Sequence, residues 1–340
     1  MTWPAAEPVY FTPLCPDARD QGDPYAFTPP PEAGARFRYY AYTTGDDRTA
    51  GRAFPVYGSD DLVAWRPLGE VLEADPNRAY WAPCVVYLPQ LPRPYVMLYS
   101  RAVGRGEQGH VGHTIRRADA ERPEGPFRDS GEELTADLDF AIDPDLYRLP
   151  DGSLQLAFAM DFVEDEPYGT GIVEAAIADD LTHLTSAPRV LARPSHDWHL
   201  YEAERSMPWK SIPGIDWTKQ TVRWQTVEAP VGGLIAPNGA PVSLYSGGCF
   251  WGFYAVGALV QEDGRWQDMT DGARNFVIRP DPNRGFYGPG HCSLVHGPAG
   301  DDFLLLHARF GAPDAPRQMC LAPLRWTAEG YPTTGPLPSR

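Results

Sequence analysis

Five short β-rich runs recur along the 340 residues, and their spacing constrains the fold more than any other feature. They are FRYYAYT (37–43), YVMLYS (95–100), LQLAFA (154–159), VSLYS (242–246) and FLLLHA (303–308). The markers Tyr39, Tyr95, Leu154, Val242 and Phe303 stand 56, 59, 88 and 61 residues apart. Each run follows a turn-rich stretch and leads into a second apolar strand, expected at 54–57, 109–114, 171–176, 254–257 and 319–322. Helical periodicity is sparse, and the 37 Pro and 33 Gly are spread along the chain rather than pooled in a linker. Five units of about four strands at this period predict an all-β fold, a five-bladed β-propeller. It is read as a single domain over residues 21–335, with residues 1–20 as an N-terminal segment that helps to close the ring. The long interval holds a Trp- and Pro-rich insert at 195–224.

The charge balance narrows the partners. With 29 basic residues and a net charge of −16, no basic stripe exists to neutralise phosphates, which argues against nucleic acid or an anionic membrane surface. No apolar run is long enough for a membrane span. The N-terminus lacks the basic and apolar regions of a secretion signal. Cys15, Cys84, Cys249, Cys292 and Cys320 form no CxxC or zinc-type spacing. These features point to a reducing cytoplasm.

In a propeller the innermost strands line a central channel, so the residues just before each blade's first strand converge at one mouth. Those positions read Asp23, Trp81, Asp143, Glu228 and His291. Glu228 opens the stretch TVEAPVGGLIAPNGAPVSLYSG (226–247), where Asn238-Gly239 between apolar runs marks a hairpin. This places Glu228 just before the hairpin's first strand. Its neighbours Trp224, Val227, Pro230 and Val231 favour the neutral carboxyl and raise its pKa, as a general acid requires. Gly22-Asp23-Pro24 and Ala141-Ile142-Asp143-Pro144 supply two more carboxylates. Two opposed carboxylates equip a site for glycoside hydrolysis, and a third beside them can hold the acid protonated. Asp-Pro is also a common turn former, and Asp17, Asp20, Asp139 and Asp145 compete for the same places.

Taken in order, the motifs resemble those of glycoside hydrolase family 43. They are GDPYAF with YYAYTT (22–27, 39–44), YWAPCVVY (80–87), EGPFRDSG (124–131) and AIDPDLYRLPDGS (141–153). VEAPVGGL with LYSGG (227–234, 244–248) and YGPGHCSLVHGP with LLLHAR (287–298, 304–309) complete the set, so the likeness runs from Gly22 to Trp326. Members of that family are inverting five-bladed propeller enzymes. The resemblance implies an inverting glycosidase acting on pentosides, with Asp23 as general base, Glu228 as general acid and Asp143 as the aspartate that orients and tunes the acid. The expected partner is an oligosaccharide or small glycoside, and the expected activity that of an exo-acting α-L-arabinofuranosidase. The alternatives are a β-D-xylosidase of the same mechanism and a non-catalytic carbohydrate-binding propeller. No cofactor is required for the chemistry. His291 matches a histidine near the propeller axis that in many members supports a calcium ion or ordered water, which makes it the expected metal contact. Trp81, Trp224, Tyr245, His291 and Arg309 are the expected substrate contacts, with Trp198, Trp209 and Trp217 joining Trp224 as an aromatic wall. Cys84 departs from the family, where an acidic residue usually follows the WAP motif, and it reads as a small buried hydrophobe.

Overall fold

A strand buried on both faces reads as an unbroken apolar run rather than as an alternation, and the second strand of every unit is such a strand. The computed structural model describes residues 11–15, 19–45, 51–104, 111–270 and 275–335. Blade one runs β1 (Gly22–Phe27), β2 (Tyr39–Thr44), β3 (Arg52–Ser59) and β4 (Arg66–Glu73), paired in that order. Blade two repeats the meander with β5 (Tyr80–Tyr87), β6 (Tyr95–Arg101), β7 (Thr114–Ala120) and β8 (Arg128–Glu133). Blade three is β9 (Ala141–Arg148), β10 (Leu154–Phe162), β11 (Gly169–Ala176) and β12 (Arg189–Ala192). The insert contributes β13 (Leu200–Arg205), which pairs with the long β14 (Val222–Ile235). Blade four continues from β14 to β15 (Pro241–Gly248), β16 (Tyr254–Glu262) and β17 (Arg265–Asp268). Blade five is β18 (Phe286–His296), β19 (Asp302–Phe310) and β20 (Gln318–Pro323).

Successive side chains of a strand point to opposite faces, so each second strand feeds two cores. Tyr40 and Tyr42 of β2 pack with Tyr95, Met97 and Tyr99 of β6 between blades one and two. The intervening Val96 and Leu98 pack with Leu156 and Phe158 of β10 between blades two and three. Ala159 and Tyr245 share the core between blades three and four. Leu244 meets Leu304 and Leu306 of β19 between blades four and five. Phe303 and Leu305 then meet Tyr39 and Ala41 of β2, so the ring of cores returns to its start. The N-terminal segment lies along the free edge of β20: the Phe11 and Leu14 amides donate to the Leu321 and Met319 carbonyls at 3.0 and 2.9 Å. Residues 1–10 and 16–18 of that segment, Asp17 among them, lie outside the described residues. Among the described residues no helix is long and apolar enough to cross a membrane.

Two expectations are corrected. The strand after β6 is Thr114–Ala120, not 109–114. It reads TIRRADA, and its arginines are buried because Arg116 pairs with Asp129 and Glu133 and Arg117 with Asp119. Glu228 stands within the 14-residue β14 and not ahead of it, although the hairpin turn at Asn238-Gly239 forms as expected, with Gly239 at φ 87°.

Candidate active site

Every innermost strand breaks its ladder at the same depth. The register shifts on β1, β5, β9, β14 and β18 fall at 22–25, 81–84, 142–145, 228–231 and 290–293. At each break one residue takes the left-handed conformation: Asp23 (φ 52°), Ala82 (48°), Asp143 (58°), Ala229 (51°) and His291 (48°). That conformation costs a non-glycine residue about 1–2 kcal/mol, and a bulge of this kind re-aims a side chain. The repeat-equivalent positions are therefore these five; Trp81 and Glu228, read from sequence as the second and fourth of the set, stand one residue earlier.

A broken ladder frees an amide, and a side chain of the preceding blade takes it. Ala82 donates to Thr44 Oγ1 (2.8 Å), Asp143 to Ser100 Oγ (3.1 Å), His291 to Ser246 Oγ (2.8 Å) and Asp23 to His307 Nδ1 (3.0 Å). The corresponding place in blade three is Ala159, opposite Ile142, which has no acceptor to offer. The Ala229 amide turns instead to Asp143 Oδ2 at 3.1 Å. The missing hydroxyl thus leaves Asp143 as the group tied across to blade four, beside Glu228.

These bulges open on a cavity of about 660 Å³ whose wall includes Asp23, Asp143, Glu228 and His291. Trp81, Trp224 and Arg309 also line it. Trp81 is stacked on His113 with centroids 4.0 Å apart, and the Arg309 guanidinium lies 4.7 Å over the Trp251 ring. Of the insert's tryptophans, Trp209 joins Trp224 on the wall. Trp217 donates to the Lys210 carbonyl at 2.7 Å, and Trp198 stacks on Tyr245 at 5.8 Å. Tyr245 does not face the cavity. It is fully buried, its hydroxyl donates to Asp268 Oδ2 at 2.5 Å, and it stands 3.2 Å from His199 Nε2, so it pins the insert to blade four.

Each carboxylate sits in a different field. Burial alone would raise Asp23, but Arg317 Nη1 at 3.0 Å and His291 Nδ1 at 3.2 Å outweigh it and hold the carboxyl well below its ordinary value. Burial raises Asp143 to about 6, against the pull of His291 and with the charge of Asp23 adding to the rise. Burial, and next the charge of Asp143, push Glu228 up to about 8, although the Tyr254 hydroxyl donates to its Oε1 at 2.7 Å. Burial disfavours a charged His291, yet Asp23 and Asp143 raise it to about 9. A carboxyl held low and a carboxyl held high thus face one cavity. Of the competing aspartates, Asp20 reaches the wall, but Arg317 Nε and Nη2 occupy its oxygens. Asp145 is half-buried with Oδ2 accepting from the Gly232 amide at 2.7 Å, and Asp139 is exposed.

Arg317 and Tyr254 escaped the sequence reading, since neither belongs to a motif. Glycine neighbours make room for both: a Cβ on Gly22 would collide with the Arg317 guanidinium, and one on Gly290 with the Tyr254 ring. Cys84 is buried in the core between blades two and three, and no disulfide forms among the described residues. Among the described residues no three His, Cys, Asp or Glu side chains are grouped to hold a metal ion. His291 Nδ1, the expected metal contact, lies 3.2 Å from Asp23 Oδ1 in this arrangement.

A five-bladed propeller with a carboxyl held low and a carboxyl held high facing one axial cavity is the architecture of a propeller glycoside hydrolase. The model of the family described as Glycosyl hydrolases family 43 matches residues 26–212, over half of the chain, and the protein belongs to that family of inverting glycoside hydrolases. Among solved structures it is similar to a thermostable family-43 glycoside hydrolase, at 25% identity and TM-score 0.71, over 98% of this chain and 96% of the other. It shares its fold with an endo-1,4-beta-xylanase from Bacteroides thetaiotaomicron VPI-5482 (24% identity, TM-score 0.69, 94% and 95% covered). It also shares the fold of a Cellvibrio cellulosa alpha-L-arabinanase complexed with arabinohexaose (19%, TM-score 0.62, 94% and 96%). No curated protein matches the chain.

Proposed function

We propose that this hydrolase releases a terminal pentosyl unit from a small glycoside, α-L-arabinofuranosyl in the first instance and β-D-xylosyl in the second. Asp23 takes a proton from the water that attacks the anomeric carbon. Glu228 gives its proton to the departing oxygen, and the sugar leaves with inverted configuration. Asp143, held by the Ala229 amide, keeps Glu228 protonated by like charge. The observation that carries this reading is the placement of Asp23, engaged by Arg317 and His291, and Glu228, engaged by Tyr254, on one cavity wall. The retention of all three carboxyls favours catalysis over mere sugar binding. Cysteines that form no disulfide among the described residues suit a reducing compartment, hence small oligosaccharides rather than intact polymer.

A panel of aryl pentosides, with the first-formed anomer followed by NMR, tests the proposal. Turnover of an α-L-arabinofuranoside with initial release of the β anomer is expected. Retention of configuration, or sugar binding with no turnover across the panel, would defeat it.

The alkaline limb of the pH profile offers a second check. A general acid must hold its proton, so activity falls as pH rises through the value of Glu228, near 8. Asp143→Asn removes a charge that raises Glu228, so the limb should move to lower pH. Tyr254→Phe removes a hydrogen bond that lowers Glu228, so the limb should move to higher pH. Shifts in the same direction would show that Glu228 does not set the limb.

A further inference from the structure

The cavity wall carries an arginine that the hydrolytic chemistry does not use. Arg205, the last residue of β13, lines the cavity with its side chain 15% exposed. Its guanidinium lies over the rings of Tyr201 and Trp224, with Cζ 4.7 and 5.3 Å from their centroids. Among the described residues the one carboxylate near it is Glu202, whose Oε2 is 3.9 Å from Nε, beyond hydrogen-bond distance. Of the other cations on this wall, Arg317 holds Asp20 and Asp23, Lys210 holds Asp161 at 2.5 Å, and Arg309 donates to the Ala315 carbonyl and lies over Trp251; Arg19 also lines the cavity. Arg205 thus lines the cavity beside two aromatic rings that also line it. A guanidinium held against aromatic rings loses little further freedom when its fork engages a planar acceptor, and the acceptor that fits two parallel N–H groups is a carboxylate.

Its place on the wall says which part of a substrate it meets. Trp224 and Glu228 both belong to β14 and both line the cavity, four residues or roughly 13 Å apart along an extended strand. Trp224 lies on the insert side of Glu228, where β14 is joined by β13. A general acid protonates the leaving oxygen, so the departing group lies on the acid's side of the scissile bond. We propose that the leaving-group subsite takes an acidic acceptor, a uronosyl or other carboxylate-bearing unit, and that Arg205, stacked on Tyr201 and Trp224, binds its carboxylate. This rests on the assignment of Glu228 as the acid and names the kind of aglycone the enzyme prefers.

The test uses two pentosides of matched phenols, 4-(carboxymethyl)phenyl and 4-(carbamoylmethyl)phenyl, which differ in charge but little in leaving ability. The intact enzyme should favour the acid by about tenfold in kcat/KM, or ~1.4 kcal/mol. The ratio should shrink toward one in roughly 1 M salt. Arg205→Ala should bring it to about one, and Arg205→Lys, a point charge without the fork, should keep only part of it. Equal rates in the wild type, or a ratio that survives Arg205→Ala, would overturn the subsite. If Arg205→Ala does not fold, the wild-type ratio and Arg205→Lys decide. Failure of both glycosides to turn over would defeat the pentoside reading instead. The same pair titrated calorimetrically into the wild-type protein would then report the preference directly, with equal affinities counting against Arg205.

Discussion

Asp23→Ala should lower kcat/KM by about 10²–10⁴-fold, the contribution of a positioned general base, on every substrate whatever its leaving group. Water still needs a proton acceptor when a good leaving group departs. The side chain is placed for that task by a left-handed backbone at φ 52° and by the hydrogen bond that its amide donates to His307 Nδ1, neither of which depends on substrate. Arg317 and His291 keep it ionised throughout the working range, so no acid limb in the neutral region should trace to it. Azide, a nucleophile that brings no proton, should restore turnover in Asp23→Ala and give the glycosyl azide of inverted configuration. Stability should suffer less than activity. Breaking a buried ion pair commonly costs about 3–5 kcal/mol because a charge is stranded, but here Asp20 still holds Arg317 through Nε and Nη2. A variant that keeps more than about a tenth of the activity, or is not rescued by azide, would shift the search for the base to Asp20.

The sequence disclosed the ring because the second strands are buried on both sides, and a run such as FLLLHA has no polar face to hide it. It disclosed Asp23, Asp143 and His291 because Asp-Pro and GPGH mark the bulges themselves. In blades two and four the reading slipped by one residue, since Ala82 and Ala229 carry the positive φ and an alanine gives no hint of it. Tyr245 was misplaced for a related reason. Its neighbour Ser246 turns to the channel and bonds the His291 amide, so strand alternation sends Tyr245 the opposite way, toward Asp268. Strand β7 was hidden by Arg116 and Arg117, which look like solvent-facing residues until their carboxylate partners on β7 and β8 are in place. Arg317 and Tyr254 reach the site from the turn before β20 and from the start of β16. Nothing local in the sequence ties either of them to a carboxylate that lies 294 or 26 residues away.

Glu228→Ala should separate substrates by the basicity of the oxygen that leaves. Protonation matters most when the departing oxygen would otherwise carry an unstable negative charge. On a pentosyl disaccharide, whose leaving group is a sugar alkoxide, the loss should approach about 10⁴-fold, the upper end for general acid catalysis. A dinitrophenyl pentoside needs no such help, and there the loss should be about tenfold or less. Asp23→Ala should show no such divergence, so the two variants together would assign base and acid without reference to a bound sugar. The geometry supports the contrast. Tyr254 engages Oε1 of Glu228 at 2.7 Å, which leaves the other oxygen to carry the transferable proton, while Asp143 on the neighbouring blade supplies the charge that discourages its loss. The variant's alkaline limb should also vanish on the dinitrophenyl substrate, because no group that must stay protonated remains. Equal losses across leaving groups would mean that Glu228 serves the structure alone. The exposed Glu202 and Glu204 of β13 and the Glu174 of β11, which is bound to Tyr147 and Arg189, would be the carboxyls left to examine.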